Sequence, residues 1–228
     1  MVVCPGVHVP IPRRRDPAIQ PRGSGKRFQG RRRTMGSLAA RIGVDIGQRH
    51  DPTAVCVSEP QSRNHEPHLV VRHLERLPLG TPYPRVADRI ADIAQRVVAR
   101  TGKAPTVCVD ATGVGQPVID LLRERNPRQP IVAVTFTHGR GCRWKSVDRV
   151  SLGKQRLVCQ LQALLRSGRL HLPAGPESEA LSAELLNYEI RVGRNARARF
   201  GAFRSGTHDD LVTALGLTYP ITQADSTG

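Results

Sequence analysis

The sequence predicts an α/β fold: a mixed sheet with helices on its faces. Three observations carry that reading. The chain has 228 residues, 39% of them hydrophobic, the size and composition of one domain able to bury a core. Near its start, three short segments rich in β-branched residues follow one another across short loops, as in an antiparallel meander. From residue 85 onward the apolar period changes, and helical stripes alternate with short apolar runs, as in strand–helix units.

The first strand is read over Ile42 to Gly47, the second over Thr53 to Glu59 and the third over His68 to Leu77. Val86, Ile90, Ile93 and Val97 then recur at helical spacing and place an amphipathic helix over 85–100, stopped by Gly102. Thr106 to Asp110 is a short buried strand. Gln116 to Arg125 is a helix with Pro117 in its first turn, where a missing N–H is tolerated. Ile131 to Phe136 is another strand. Leu157, Leu161, Leu164 and Leu165 mark a helix over 152–167, ended by Gly168. Leu170 to Leu172 is a short extended piece, and Glu177 to Leu186 a further helix. Tyr188 to Val192 and Ala198 to Phe203 flank the hairpin turn Gly193-Arg194-Asn195. Asp209 to Thr218 closes the domain as a helix, with Asp209 suited to its N-cap. The organisation expected is a disordered basic arm or linker over 1–40, one domain over 41–220 and a flexible tail over 221–228.

Charge narrows the function. Thirty-five Lys and Arg against 19 Asp and Glu give a formal net charge of +16, which points to a polyanionic partner, most simply nucleic acid. Half of that excess lies in residues 1–40, where Arg13-Arg14-Arg15 and Arg31-Arg32-Arg33 stand among Pro and Gly with one acid, Asp16, and no apolar period. No run approaches the ~20 apolar residues a membrane span needs, and Met1 to Pro12 is too short and proline-broken for a secretory signal. Five scattered cysteines without a C-x-x-C argue for free thiols in a reducing, cytoplasmic setting and against a zinc site.

The acids carry the chemistry. Asp45 interrupts an apolar strand between Val44 and Ile46, an expensive place for a carboxylate without compensation. Asp110 ends the strand Val107-Cys108-Val109, and Asp209-Asp210 opens the last helix. In α/β sheets the carboxyl ends of strands form the usual site edge. Convergence of these acids calls for hard divalent cations held by oxygen, such as Mg²⁺. Two such ions about 3.5–4 Å apart activate a water and stabilise the leaving oxygen of a phosphodiester.

The segments IGVDIGQRHDPTAV, VDATGVGQPVIDLL and GTHDDLVTALGLTYP resemble the nuclease domain of the large terminase subunit of tailed phages over residues 41–220, and GKQRLVCQLQALLRSGRLHLP resembles the helix and strand before its last motif. The resemblance implies a ribonuclease-H-like mixed sheet, three antiparallel strands followed by parallel ones, flanked by helices. It implies a two-metal endodeoxyribonuclease that cuts concatemeric phage DNA for genome packaging. Carried over, Asp45 is the first ligand of two Mg²⁺ or Mn²⁺ ions, Asp110 the second, and the third comes from Asp210 or Asp209. The preference falls on Asp210, with Asp209 as cap or second ligand. Implied partners are double-stranded DNA, a small terminase subunit and a portal, in the cytoplasm of a phage- or prophage-bearing host. The chain departs from full large subunits in lacking G-x-x-x-x-G-K-[ST]; the expectation is no ATP hydrolysis of its own and a motor on a separate chain.

Two basic groups, residues 140–156 and 191–204, are placed to bind phosphates. From the first come Arg143, Lys145, Arg149 and Lys154, the last one turn ahead of its helix's apolar stripe. From the second come Arg194, Arg197 and Arg199, the latter two alternating with Ala198 and Phe200. Aromatics at 4% exclude a base-stacking platform and favour non-specific duplex binding. His50 and His208 flank motif acids, and His208 is a candidate accessory base. Trp144 stands in a basic stretch, where it packs on DNA or anchors its loop. A Holliday-junction resolvase shares the fold and acids. A non-catalytic DNA-binding prophage remnant is the alternative of a different class. Val44-Asp45-Ile46-Gly47 also resembles the phosphate loop of actin-like ATPases, whose second lobe and second glycine motif are not found.

Overall fold

The predicted meander forms. In the computed structural model, β1 (Arg41–Asp45) pairs antiparallel with β2 (Ala54–Arg63), and β2 with β3 (Glu66–Arg76). The β2–β3 hairpin turns on Asn64 and His65, with φ of 52° and 65°, the left-handed pair that a two-residue type I′ turn requires. The structure describes residues 39–47, 51–113, 115–187, 189–192, 198–201 and 209–221. The expected basic arm up to residue 38 and the tail from 222 lie outside them.

Beyond the meander the chain alternates. Helix α1 (Tyr83–Thr101) leads to β4 (Thr106–Asp110), α2 (Gly115–Arg125) and β5 (Ile131–Thr137). Gly102, with φ of 69°, closes α1 as a left-handed cap. Strand β4 runs parallel to β1, and β5 parallel to β4.

Two strands then appear where the sequence reading saw only a basic stretch: β6 (Cys142–Ser146) and β7 (Arg149–Gly153). β7 lies parallel to β5, and β6 is the antiparallel edge. Their period of two is present, with Cys142, Val150 and Leu152 buried and Arg143 and Lys145 exposed. An edge strand displays charge, and that charge hid the alternation.

Helix α3 (Lys154–Arg166) follows β7 without a loop. β8 (Leu170–His171) pairs with β3, and α4 (Pro176–Asn187) precedes a separate ribbon, β9 (Glu189–Val192) with β10 (Ala198–Gly201). Helix α5 (Asp210–Leu217) comes last. The eight-stranded sheet has the order β6-β7-β5-β4-β1-β2-β3-β8.

Strand parity sorts the core into two layers. Ile42, Val44, Val107 and Val109 pack with Val86, Ile90, Val118 and Ile119 of α1 and α2. Cys56, Cys108 and Val134 pack with Leu157, Leu161, Leu181, Leu211 and Leu215 of α3, α4 and α5. Cys56 and Cys108 are buried free thiols, as expected. All eight residues of α5 are buried, and two glycines let it seat. A Cβ on Gly43 of β1 would fall 2.0 Å from the Ala214 carbonyl oxygen, and one on Gly216 would fall 2.1 Å from Leu157 of α3. Among the described residues, no helix is long and apolar enough to cross a membrane.

Candidate active site

Four parallel strands, β1, β4, β5 and β7, direct their carboxyl ends to one end of the sheet. Asp45 is the last residue of β1 and Asp110 the last of β4, one register step beyond the pair Val44 and Val109. Asp45 therefore stands at a strand end, not mid-strand. Neighbouring strands lie about 4.8 Å apart, so the two acids are side by side. Both have the parity of Gly43 and Cys108 and face the layer of α3 and α5. Burial, and then the Asp110 charge, push the Asp45 carboxyl well above the ordinary range, with Lys154 opposing and Asp209 and Asp210 adding to the rise. Burial also raises Asp110, against its hydrogen bonds from Thr112. The Thr112 amide donates to its carboxylate at 2.8 Å, while the Thr112 hydroxyl accepts from the Phe136 amide at 2.8 Å and ties the loop to β5.

Lys154 follows β7 at the same sheet end. Its Nζ donates to Asp209 Oδ2 at 2.9 Å and lies 5.7 Å from the Phe136 ring centroid, a cation–π contact. Asp209 holds the N-cap position of α5, yet its side chain makes no capping hydrogen bond. Asp210 turns elsewhere: Arg76, the last residue of β3, grips it through Nε at 2.8 Å and a terminal nitrogen at 3.1 Å. Arg76 also donates to Glu184 of α4, and Glu184 accepts from the Val212 amide at 3.1 Å. Register explains the reach of Arg76. Asp45 pairs with Ala54, and Ala54 with Arg76, in one row across β1, β2 and β3.

The strands thus bring Asp45 and Asp110 together, and α3 and α5 add Lys154 and Asp209. Arg143, Lys145 and Arg149 are exposed on the β6–β7 hairpin. Arg149 opens β7 in the row of Val44, Val109 and Ala133, one register step before the row of Asp110, and stands five residues before Lys154. Of Arg199 the structure describes only the backbone, in β10. His50, Arg194, Arg197 and His208 lie outside the described residues. Trp144 is half-buried and packs against the α3–α5 core, which favours an anchoring role. Sequence reading missed Arg76, Glu184 and Thr112. Arg76 and Glu184 carry no local signal, because Asp210, the partner of Arg76, is 134 positions away and Val212, the partner of Glu184, is 28 positions away.

Among the described residues, no group of three or more His, Cys, Asp or Glu side chains is drawn close enough to enclose a metal ion. The strand-end pair nonetheless has the chemistry of a hard-cation site: oxygen donors, burial and mutual repulsion. Mg²⁺ commonly takes one or two carboxylates and completes its shell with water and substrate phosphate.

A mixed sheet of this topology, with acids on the paired ends of its first and fourth strands, defines a ribonuclease-H-like α/β domain. The sequence profile of the family described as terminase RNaseH-like domain matches residues 42–219, and the chain belongs to that family. The fold is shared with the large terminase nuclease of thermophilic phage G20c, solved with bound magnesium (20% identity, covering 78% of this chain and 79% of that one, TM-score 0.53). It is shared with the Thermus phage P74-26 large terminase nuclease domain (18% identity, 79% and 77% covered, TM-score 0.54). It is shared too with the human cytomegalovirus terminase nuclease domain (15% identity, 82% and 85% covered, TM-score 0.52). No curated protein matches.

Proposed function

We propose that this domain is a metal-dependent endonuclease of the terminase large-subunit type, which cuts concatemeric double-stranded phage DNA for packaging. The observation that carries the reading is the placement of Asp45 and Asp110 on adjacent parallel strand ends, facing the Lys154–Asp209 pair. Two divalent cations, when bound, supply a more acidic water and stabilise the leaving oxygen of the phosphodiester. Asp45 and Asp110 offer the carboxylate oxygens that hold them. Asp209 is the third donor in preference to Asp210, because its carboxylate meets Lys154 whereas that of Asp210 is gripped by Arg76. Lys154 holds Asp209 in place and presents a cation to a backbone phosphate entering at the strand ends. Arg143, on the exposed edge strand, extends that phosphate contact.

The test is supercoiled-plasmid cleavage in Mn²⁺ or Mg²⁺ by wild type, Asp45→Ala and Asp110→Asn. Cutting by the wild type and a loss of at least a hundredfold in each variant is expected, the scale of removing a catalytic electrostatic group. Undiminished cutting by both variants sinks the proposal.

A further inference from the structure

We propose that Glu184, working with Arg76, is a positioning residue: it takes over the N-cap of α5 so that the Asp209 carboxylate is left to face the strand-end acids. The inference rests on the reading of Asp209 as part of the cleavage site.

An Asp at a helix N-cap ordinarily folds back and accepts a hydrogen bond from the second or third helical amide. Asp209 does not. It gives only its carbonyl to the helix, which accepts the Thr213 amide at 2.9 Å. The third helical amide, that of Val212, donates instead to Glu184. Glu184 comes from α4, 28 positions earlier, so the cap is supplied by a neighbouring helix. Leu181 and Leu185, both buried in the core, set the face of α4 that presents it. A carboxylate there also meets the positive end of the α5 dipole.

The second half of the device fixes rotation. Asp209 at the N-cap and Asp210 at the first helical position turn to different partners, Lys154 and Arg76. Arg76 grips Asp210 with a two-nitrogen fork and donates also to Glu184. The side chains of Glu184 and Asp210 are 8% and 6% exposed, so the ring is shielded from competing water. Strand β3, helix α4 and helix α5 are thereby clamped, and the remaining aspartate is presented to Lys154.

The test compares Mn²⁺ binding by calorimetry on the DNA-free protein, plasmid cleavage, and urea unfolding for five proteins: wild type, Asp209→Asn, Asp210→Asn, Glu184→Ala and Glu184→Gln. Loss of a residue that orients a ligand costs about 10–100-fold in metal affinity. Asp209→Asn and Glu184→Ala are expected to fall in that range. Glu184→Gln keeps an oxygen acceptor for the Val212 amide and is expected to recover most of the affinity. Asp210→Asn keeps an oxygen for Arg76, and its loss is expected to be about tenfold smaller than that of Asp209→Asn. In the Glu184 variants kcat falls more than KM for DNA, which a general loss of stability does not produce. Two results overturn the inference alone: Asp210→Asn losing as much affinity as Asp209→Asn, or a folded Glu184→Ala binding Mn²⁺ like the wild type. If Glu184→Ala does not fold, the two asparagine variants and Glu184→Gln decide. A wild type that binds no Mn²⁺ and cuts no plasmid overturns the cleavage reading and this inference with it.

Discussion

Asp45→Asn should make the metal-free protein more stable while abolishing its activity. Asp45 and Asp110 end adjacent parallel strands. With strand spacing near 4.8 Å, two ionised carboxylates there repel by about 3 kcal/mol at an effective dielectric of 20. Lys154 opposes this for both groups, which leaves a net gain of about 1–2 kcal/mol for the neutral isostere. For a domain of this size that is a rise of about 2–8 °C in Tm. The sign with pH follows from the raised pKa. An acid whose folded pKa exceeds its unfolded value of 3.8 destabilises the fold while ionised. That penalty is complete above the raised value and fades as pH falls toward 3.8, so the advantage of the variant shrinks on acidification. Mn²⁺ reverses the order: at 100 times its Kd it adds about 2.7 kcal/mol to the protein that binds it, and only the wild type should gain. The assay is thermal unfolding in EDTA and in Mn²⁺, at neutral and acid pH. An Asp45→Asn variant less stable than wild type in EDTA at pH 7, or equally stabilised by Mn²⁺, refutes the reasoning.

Two further outcomes test other parts of the molecule. Gly43→Ala places a Cβ 2.0 Å from the Ala214 carbonyl oxygen and should lift α5 from β1 at a cost of about 1–3 kcal/mol. The urea midpoint should fall with the m-value unchanged, and cleavage should fall with it, because the same contact sets Asp209 against Asp45. Glu75 is held at about 2 against an ordinary 4.5: burial alone would raise it, and hydrogen bonds and charge from His73 and Arg89 outweigh that. Its stabilisation is present above pH 4.5 and lost as pH falls toward 2, so Glu75→Gln should be less stable at pH 7, by about 1 kcal/mol or less for so accessible a pair. Acid titration of unfolding should bring wild type and variant together near pH 2.

The meander, the first helix and the parallel strands β4 and β5 were legible because their signals are local. Val86, Ile90 and Ile93 keep helical spacing and are all buried. Thr106–Asp110 is read with its observed boundaries because an apolar run ends abruptly in an acid. β6 and β7 were hidden because edge strands trade apolar residues for charge, and the count of arginines drew attention from the alternation of Cys142 and Trp144. Within the basic stretch, Arg149 opens β7 and Lys154 follows its last residue, while Arg143 of β6 pairs with Ser151 near the Lys154 end.

The choice between Asp209 and Asp210 could not be read locally at all. Both belong to one motif and both suit the first turn of a helix. What separates them is Arg76 from β3 and Glu184 from α4, partners whose sequence distance gives no periodic trace. The electrostatics make the same point on a larger scale. A chain of net charge +16 surrounds its parallel strand ends with acid. Lys154 faces Asp45, Asp110 and Asp209, and Arg76 faces Glu177, Glu184 and Asp210. Lys154 and Arg76 thus each stand among three carboxylates. The two settings answer that imbalance differently. Around Arg76 it is absorbed by fork geometry and by the end of α5, so the acids there are spent on structure. Around Lys154, burial and mutual repulsion raise Asp45 and Asp110, and one ammonium leaves a deficit that a doubly charged ion relieves. Under the proposed function, the excess of arginine elsewhere would attract a phosphate backbone, and the local shortage of positive charge at this sheet end is what a bound cation would relieve.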